Sequence, residues 1–347
     1  MNLLLAASNK PCNGAIMYTR RLASLLKSGG HRVWVAAARD SWIAGEIAGE
    51  IPLLETDFRR WPLDEVDRVA AFCRQERIGV FHSHLTRASN FGALLRLRHG
   101  IPSLAHLHAN HPQLNVWFHS RLLAVSKDTL RRHRMLLAGW GAGGAVLPNF
   151  VDTGVFRPAA GRPDCLRELA NLPTGTPVVV VVGKLCRRKG QDLAVRAWPR
   201  VLALHPKARL LLIGDGELPG GLLPANGVSL LGPRPDIEAL LPHATVCLVP
   251  SRDEPFGLAA IEAMACGVPV VAARAGGLAE IVAGGAGRSY ARGDLEGMVA
   301  ALDALLSDPT ARGLQAEDGM TRVRDSYGPA AHLAALEAHY ADLIGQA

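Results

Sequence analysis

Short runs of β-branched and aliphatic residues alternate with helix-length segments along almost the whole chain, and that alternation admits few folds. Strands separated by helices return through crossover connections, so they pair in parallel and bury both faces of the sheet. Leu3–Ala7, Val33–Ala38, Val80–His82, Ser103–Leu107 and Leu122–Val125 read as such strands, with helical patterns over Ala15–Ser28, Val66–Gln75 and Ala88–Arg98 between them. A second series begins at Val178–Val182 and continues through Leu210–Ile213, Val228–Leu231, Val246–Val249 and Val268–Ala272. Leu147-Pro148-Asn149-Phe150-Val151-Asp152 reads as a hinge, followed by a Pro- and Gly-bearing linker up to Pro177. A chain of 347 residues also exceeds the usual size of one core, so two α/β domains are expected. A last helical pattern, Ala330–Ile344, places Leu333, Leu336, Tyr340 and Leu343 on one face.

Composition narrows the class. Hydrophobic residues at 49% with 20% charged residues describe a globular chain rather than a disordered one. No stretch approaches the roughly 18 apolar residues of a membrane span. Met1–Ser8 lacks a basic lead and reads as a first strand, not a signal peptide. Cys12, Cys73, Cys165, Cys186, Cys247 and Cys266 are scattered without a C-x-x-C pair, which suits free thiols in a reducing compartment. The expected location is cytoplasmic. Residues 1–150 carry 19 Lys and Arg against 10 Asp and Glu, whereas the remainder carries 19 (38 − 19) against 21 (31 − 10). The basic half suits either a peripheral contact with an anionic membrane or acidic acceptor, or an Arg-rich surface without a partner. No nucleic-acid partner is expected.

The chemistry concentrates in Glu254-Pro255-Phe256-Gly257-Leu258-Ala259-Ala260-Ile261-Glu262, where two carboxylates stand eight positions apart across a loop-to-helix boundary. Pro255 suits a first helical turn, and Gly267 with Pro269 suits a helix stop. The amides of Phe256, Gly257 and Leu258 then make an anion site, with Gly257 permitting close approach to the main chain. On a helix, Glu262 lies two turns along and roughly 80° round from Glu254. Amides for a phosphate beside carboxylates for hydroxyls describe a nucleotide-sugar site. Against this stands a plain buried helix with one capping and one exposed glutamate.

The run E-P-F-G-L-x-x-I-E-A-M-A-C-G-V-P-V-V, from Glu254 to Val271, resembles glycosyltransferase family 4, whose retaining enzymes carry an E-x7-E motif. The resemblance implies the GT-B fold: two Rossmann-like doubly wound domains facing across a cleft, with a C-terminal helix crossing back to the first. On that reading residues 1–155 with 329–347 bind the acceptor, and residues 156–328 bind the donor. Glu262 would hold ribose hydroxyls and Glu254 hydroxyls of the transferred sugar. After the strand Val178–Val182 comes Gly183-Lys184-Leu185-Cys186-Arg187-Arg188-Lys189-Gly190, where the family shows G-R-x-x-x-x-K-G. Lys184 and Lys189 are the candidates for neutralising the donor diphosphate; Lys in place of Arg at 184 keeps charge but loses the planar fork. Gly183 and Gly214, the latter in Gly214-Asp215-Gly216-Glu217, would border the nucleotide. There is no D-x-D triad, so neither cofactor nor metal is expected.

The N-terminal half matches in layout more than in letters. Asn13-Gly14-Ala15-Ile16 sits where the family has its first Gly-rich loop, which makes Gly14 a donor-phosphate or acceptor candidate. His82-Ser83-His84 and His106-Leu107-His108 are conspicuous, and a spacing of two puts both members of each pair on one strand face. Lacking a nearby Cys or carboxylate with ligand-like spacing, they do not read as a zinc site. The resemblance instead implies one cleft-facing histidine, matched best by His108 and next by His106, that bonds the transferred sugar or orients the acceptor. Ser126 reads as an N-cap.

The expected function is retaining transfer of a sugar from a nucleoside diphosphate to a hydroxyl of a glycan or glycolipid, in bacterial polysaccharide or lipopolysaccharide assembly. A nucleotide-sugar epimerase of the same fold and a binding module without turnover are the alternatives. A dinucleotide-dependent oxidoreductase would want G-x-G-x-x-G after the first strand, where the chain has Ser8-Asn9-Lys10-Pro11-Cys12-Asn13-Gly14.

Overall fold

Thirteen short strands form two separate parallel sheets among the described residues of a computed structural model, which are 1–59, 63–111, 113–134, 144–161, 163–221 and 226–345. The first sheet uses β1 (Asn2–Ala7), β2 (Arg32–Ala37), β3 (Leu53–Glu55), β4 (Val80–His84), β5 (Ser103–Leu107), β6 (Arg121–Ala124) and β7 (Gly144–Val146), ordered β3-β2-β1-β4-β5-β6-β7. The second uses β8 (Val178–Val182), β9 (Arg209–Ile213), β10 (Val228–Gly232), β11 (Val246–Val249), β12 (Val270–Ala273) and β13 (Arg288–Tyr290), ordered β10-β9-β8-β11-β12-β13. Each order runs outward from the first strand and then reverses to its other side. The reversal lies between β1 and β4 in one sheet and between β8 and β11 in the other. At such switch points the loops leave the strand carboxyl ends in opposite directions and open a crevice.

The chain divides into Met1–Asn149 with Ala330–Ala347, and Phe150–Pro329. The first break falls shortly before the expected one after 155, because the Val151 amide donates to the Tyr327 carbonyl at 3.0 Å and ties this segment to the second unit.

In the first unit, the helix Gly14–Ser28 begins where the Asn13 side chain accepts from the amides of Ala15 and Ile16, each at 3.0 Å. Its inner face buries Ile16, Tyr18, Leu22 and Leu26. The final helix, Pro329–Gly345, packs on the same unit through Leu336, Tyr340 and Leu343 as the pattern predicts. Its remaining buried position is His332, with Leu333 half-buried, because Tyr18 Oη meets His332 Nε2 at 2.9 Å and His332 Nδ1 donates to the Pro148 carbonyl at 2.9 Å. Leu333 packs against the end of the first helix: a Cβ on Gly29 would stand 2.9 Å from its Cδ2, so a larger residue there would have to displace that side chain. Phe58, Phe81 and Phe91 form the aromatic centre of a core against the opposite side, with Phe58 and Phe91 edge-to-face at 5.4 Å.

The second unit builds its core around Trp198, fully buried among Val179, Val181, Leu210, Leu212 and Met298. Removing such a ring costs roughly 3–5 kcal/mol.

His119 is 1% exposed and its Nε2 lies 2.9 Å from the Ser89 carbonyl and 3.0 Å from the Ser89 hydroxyl. Burial pushes its imidazole down to about 4, with the bond to the Ser89 carbonyl opposing. The unfolded chain takes up this proton near pH 6.5 and the folded chain only near 4. The neutral ring therefore stabilises fully above about pH 6.5, and that stability is lost as pH falls toward 4. His119→Gln should remove about 2 kcal/mol of the stability difference between pH 7 and pH 5, read by urea unfolding at both values. An unchanged difference would contradict the burial argument.

Candidate functional site

The second switch point gathers most of the residues singled out from sequence. Gly183 follows β8, and Ser251 to Glu254 follow β11. Between them, Arg187–Lys189 make a single turn of 3-10 helix that ends at Gly190 with φ +74°. A Cβ on Gly190 would lie 2.0 Å from the Pro250 carbonyl oxygen, so this glycine lets the basic turn lie directly against the end of β11. The consequence is an ion pair. Lys189 Nζ donates to Glu254 Oε2 at 2.6 Å, with the Ser251 hydroxyl on the same oxygen at 3.1 Å and Arg188 at 3.7 Å from Oε1. Burial alone would raise the Glu254 carboxyl, but Lys189 and Arg188 outweigh it and hold the group below the usual carboxylate range. Glu254 is thus a buried acceptor whose charged form its cationic neighbours favour. The Lys189 side chain keeps 22% exposure against 8% for Glu254, so the cation is the more accessible partner of the pair.

The Gly-rich turns close tightly around this pair. A Cβ on Gly214 would stand 2.2 Å from the Gly183 carbonyl oxygen, and one on Gly183 would stand 3.8 Å from Lys189 Cε. Gln191, fully buried, donates to the Gly183 and Lys184 carbonyls at 3.3 and 3.0 Å and accepts from the Cys186 amide at 3.4 Å. One side chain thereby shapes the loop that carries both candidate lysines. Asp192 is held by a two-pronged bond from Arg252 at 2.6 and 2.7 Å, and Arg252 also donates to the Arg187 carbonyl at 2.7 Å. Gln191, Asp192, Ser251 and Arg252 escaped the sequence reading. The only signal was polar residues directly after Gly190 and directly before Glu254, where the strand pattern predicts loop.

The helix of the two-glutamate motif starts later than predicted. It runs Leu258–Ala265, so Pro255 lies in the preceding loop, and Glu254 and Glu262 do not share one helix. Gly257, at φ +128°, precedes the first turn without any side-chain cap; the Ala260 amide donates to the Gly257 carbonyl at 3.0 Å, so the amides of Leu258 and Ala259 are the ones a ligand could meet. A Cβ there would sit 2.5 Å from Leu278 Cδ2. Phe256 is buried edge-on against Tyr327 with ring centroids 5.6 Å apart, so only its main chain can meet a ligand. Leu258 is half-buried at the first helical position. Glu262 is 9% exposed and lies near Cys247, whose thiol is pushed up to about 12 by burial and then by that carboxylate. Gly267 at φ +71° ends the segment, as predicted. Lys184 is exposed and makes no ion pair among the described residues.

The first switch point carries Gly14 and His108. Gly14 is exposed at the helix start, where Asn13 already takes the amides of Ala15 and Ile16. β4 runs two residues further than predicted, and its pairing sets His84 opposite His106. Leu85 follows with φ +76°, a conformation L side chains rarely adopt, at the very turn where the sheet order reverses. His106 lies inside β5, 2% exposed, with Nε2 donating to the Leu147 carbonyl at 3.2 Å. His108 stands just past the strand, half-buried, with Nε2 3.1 Å from His84 Nδ1. Ser126 caps the helix Lys127–Arg134 by accepting from the Thr129 amide at 3.1 Å.

Comparison with known proteins follows the same division. Residues 13–145 match the family model described as "Glycosyl transferase 4-like domain", and residues 176–308 match "Glycosyl transferases group 1". The chain belongs to glycosyltransferase family 4. It is 31% identical over 277 residues to a D-inositol 3-phosphate glycosyltransferase of Acidothermus cellulolyticus, covering 69% of this chain and 61% of that one. A GDP-mannose-dependent phosphatidylinositol monomannoside mannosyltransferase of Corynebacterium glutamicum is 31% identical over 219 residues, covering 58% and 57%. The aligned part spans about half to two thirds of these relatives' length. Among solved structures, a glycosyltransferase from Rickettsia africae superposes with a TM-score of 0.85 at 18% identity, covering 100% of this chain and 99% of that one. An Anabaena protein solved in complex with UDP and glucose gives 0.83 at 21%, covering 99% and 100%. The family's fold is GT-B, and each unit of this chain supplies one of its two Rossmann-like parallel-sheet domains.

Gly190→Ala should cost about 3 kcal/mol in urea unfolding, since it adds a left-handed strain and a backbone clash. A loss under about 1 kcal/mol would show that the basic turn is not pinned to β11.

Proposed function

We propose that this chain is a retaining glycosyltransferase that moves a sugar from a nucleoside diphosphate to an acceptor hydroxyl. The observation that carries the reading is the buried Lys189–Glu254 pair at the second switch point, beside the uncapped helix Leu258–Ala265. A charged carboxylate shielded from water is a strong acceptor for sugar hydroxyls. Lys189, with two donors to spare, and Arg188 beside it suit the diphosphate whose charge grows as the sugar departs. Glu262 suits the ribose hydroxyls, and Gly183, Gly214 and Gly257 let main chain approach the nucleotide. Relatives named as acting on inositol phosphate and on GDP-mannose, and neighbours solved with UDP and UDP-glucose, support a nucleotide-sugar donor. Those names favour a polyol or glycolipid acceptor, and envelope-polysaccharide assembly is the setting proposed for it.

On the first unit His108 is the residue proposed to meet the sugar or the acceptor. In retaining transfer the leaving phosphate oxygen can take the acceptor proton, so His108 need not act as a base. The reading places no metal at the diphosphate, because the cations Lys189, Arg188 and Lys184 together with the helix amides supply the countercharge. No described helix is long and apolar enough to cross a membrane; the membrane contact proposed for this chain is a peripheral one through its basic half.

A thermal-shift series with UDP-, GDP-, ADP- and TDP-sugars should single out one base, and proton NMR of the product should show the donor's anomeric configuration kept. Inversion, or no shift with any donor, would remove the reading. Glu262→Ala should weaken nucleotide binding by about 1–3 kcal/mol in calorimetry, for loss of hydrogen bonds to a charged group; unchanged affinity would remove the ribose role. Turnover without added magnesium or manganese should match turnover with them. Restoration by manganese after a brief chelator exposure would overturn the metal-free diphosphate.

A further inference from the structure

The first unit holds a group of histidines that the transfer reading does not use. His82 and His84 alternate on β4, and the register sets His106 of β5 beside His84, so all three project from one face of the sheet. They are 0%, 0% and 2% exposed. Each ring has one nitrogen committed. His82 Nδ1 meets Tyr340 Oη at 2.7 Å, His84 Nδ1 meets His108 Nε2 at 3.1 Å, and His106 Nε2 meets the Leu147 carbonyl at 3.2 Å. The other nitrogens, His82 Nε2, His84 Nε2 and His106 Nδ1, are buried without a hydrogen-bond partner among the described residues. One ligand atom from each of the three rings lies within 4.8 Å of the others.

Tautomer logic sharpens this. A carbonyl only accepts, so the hydrogen of His106 is on Nε2 and its buried Nδ1 carries a bare lone pair. We propose that His82, His84 and His106 bind one divalent transition-metal cation, of the imidazole-preferring kind typified by zinc. No carboxylate belongs to the group, which argues against calcium or magnesium. Metal–nitrogen bonds of about 2.0–2.1 Å need nitrogens roughly 3.4 Å apart, so the rings draw inward on loading. The outer partners are already in place: Tyr340, His108 and the Leu147 carbonyl each fix the far nitrogen of one ligand.

Two consequences follow from the bonds. The cation ties β4 to β5 and, through Tyr340, to the last helix, which lies 258 residues away in the chain from His82. It also fixes His108. Metal on His84 Nε2 leaves the hydrogen on His84 Nδ1, which then donates to His108 Nε2 and sets the hydrogen of His108 on Nδ1. The inference stands on the first unit alone, independent of the donor reading.

The test uses the full chain without a polyhistidine tag, produced in minimal medium with zinc or with cobalt and dialysed against metal-free buffer. One metal ion per chain by mass spectrometry, with visible ligand-field bands in the cobalt form, is the expected result. The double variant His82→Gln, His106→Gln should retain less than a tenth of that metal, while His119→Gln, a buried histidine outside the group, retains all of it. Wild-type protein with less than a tenth of an equivalent and no cobalt bands overturns the proposal. Equal metal in the double variant overturns it as well. Should the double variant fail to fold, the wild-type stoichiometry and cobalt spectrum decide alone.

Discussion

The second unit depends on one contact: the ammonium of Lys189 against the buried carboxylate of Glu254. Neither charge tolerates burial alone, and removing one partner of such a pair costs roughly 3–5 kcal/mol because the other is left unpaired. The structure around it serves to bring them together. Gly190 removes the Cβ that would hold the basic turn off β11, Gln191 shapes the loop from Gly183 to Cys186, and Asp192 with Arg252 clamps the turn from its other side. The same contact makes the site chemically useful, since it leaves a charged acceptor and a partly exposed cation side by side at the carboxyl ends of β8 and β11.

Much of this was legible in the sequence because it follows from periodicity and local chemistry. Runs such as Val178–Val182 and Val246–Val249 are apolar throughout, as strands buried on both faces must be, and they fall where predicted. The strands missed, Leu53–Glu55, Gly144–Val146 and Arg288–Tyr290, are three-residue edge strands. So short a segment carries too few side chains to establish a period, and an edge strand has only one neighbour to select for it. The final helix was visible from Leu336, Tyr340 and Leu343, but not that His332 would take a buried place. That substitution depends on a hydroxyl from Tyr18, 314 positions away in the chain.

The two-glutamate motif shows where spacing misleads. Eight positions suggested one helix with both carboxylates on neighbouring faces; the helix begins only at Leu258, and Glu254 is positioned by tertiary contacts instead. Its partner Lys189 lies 65 residues earlier, and nothing local joins the two. The histidine pairs teach the converse. Spacing of two correctly put each pair on one face, but only the parallel register of β4 with β5 brings His84 beside His106 and the three rings into one group.

The central claim is that Lys189 and Glu254 act on the donor as one unit. A double-mutant cycle on nucleotide-sugar turnover, with Lys189→Met, Glu254→Gln and the pair together, tests it most directly. The account predicts that kcat/KM of the double variant falls little below that of either single variant, a coupling of about 2 kcal/mol or more. Strictly additive losses, or single variants with wild-type turnover, would contradict it.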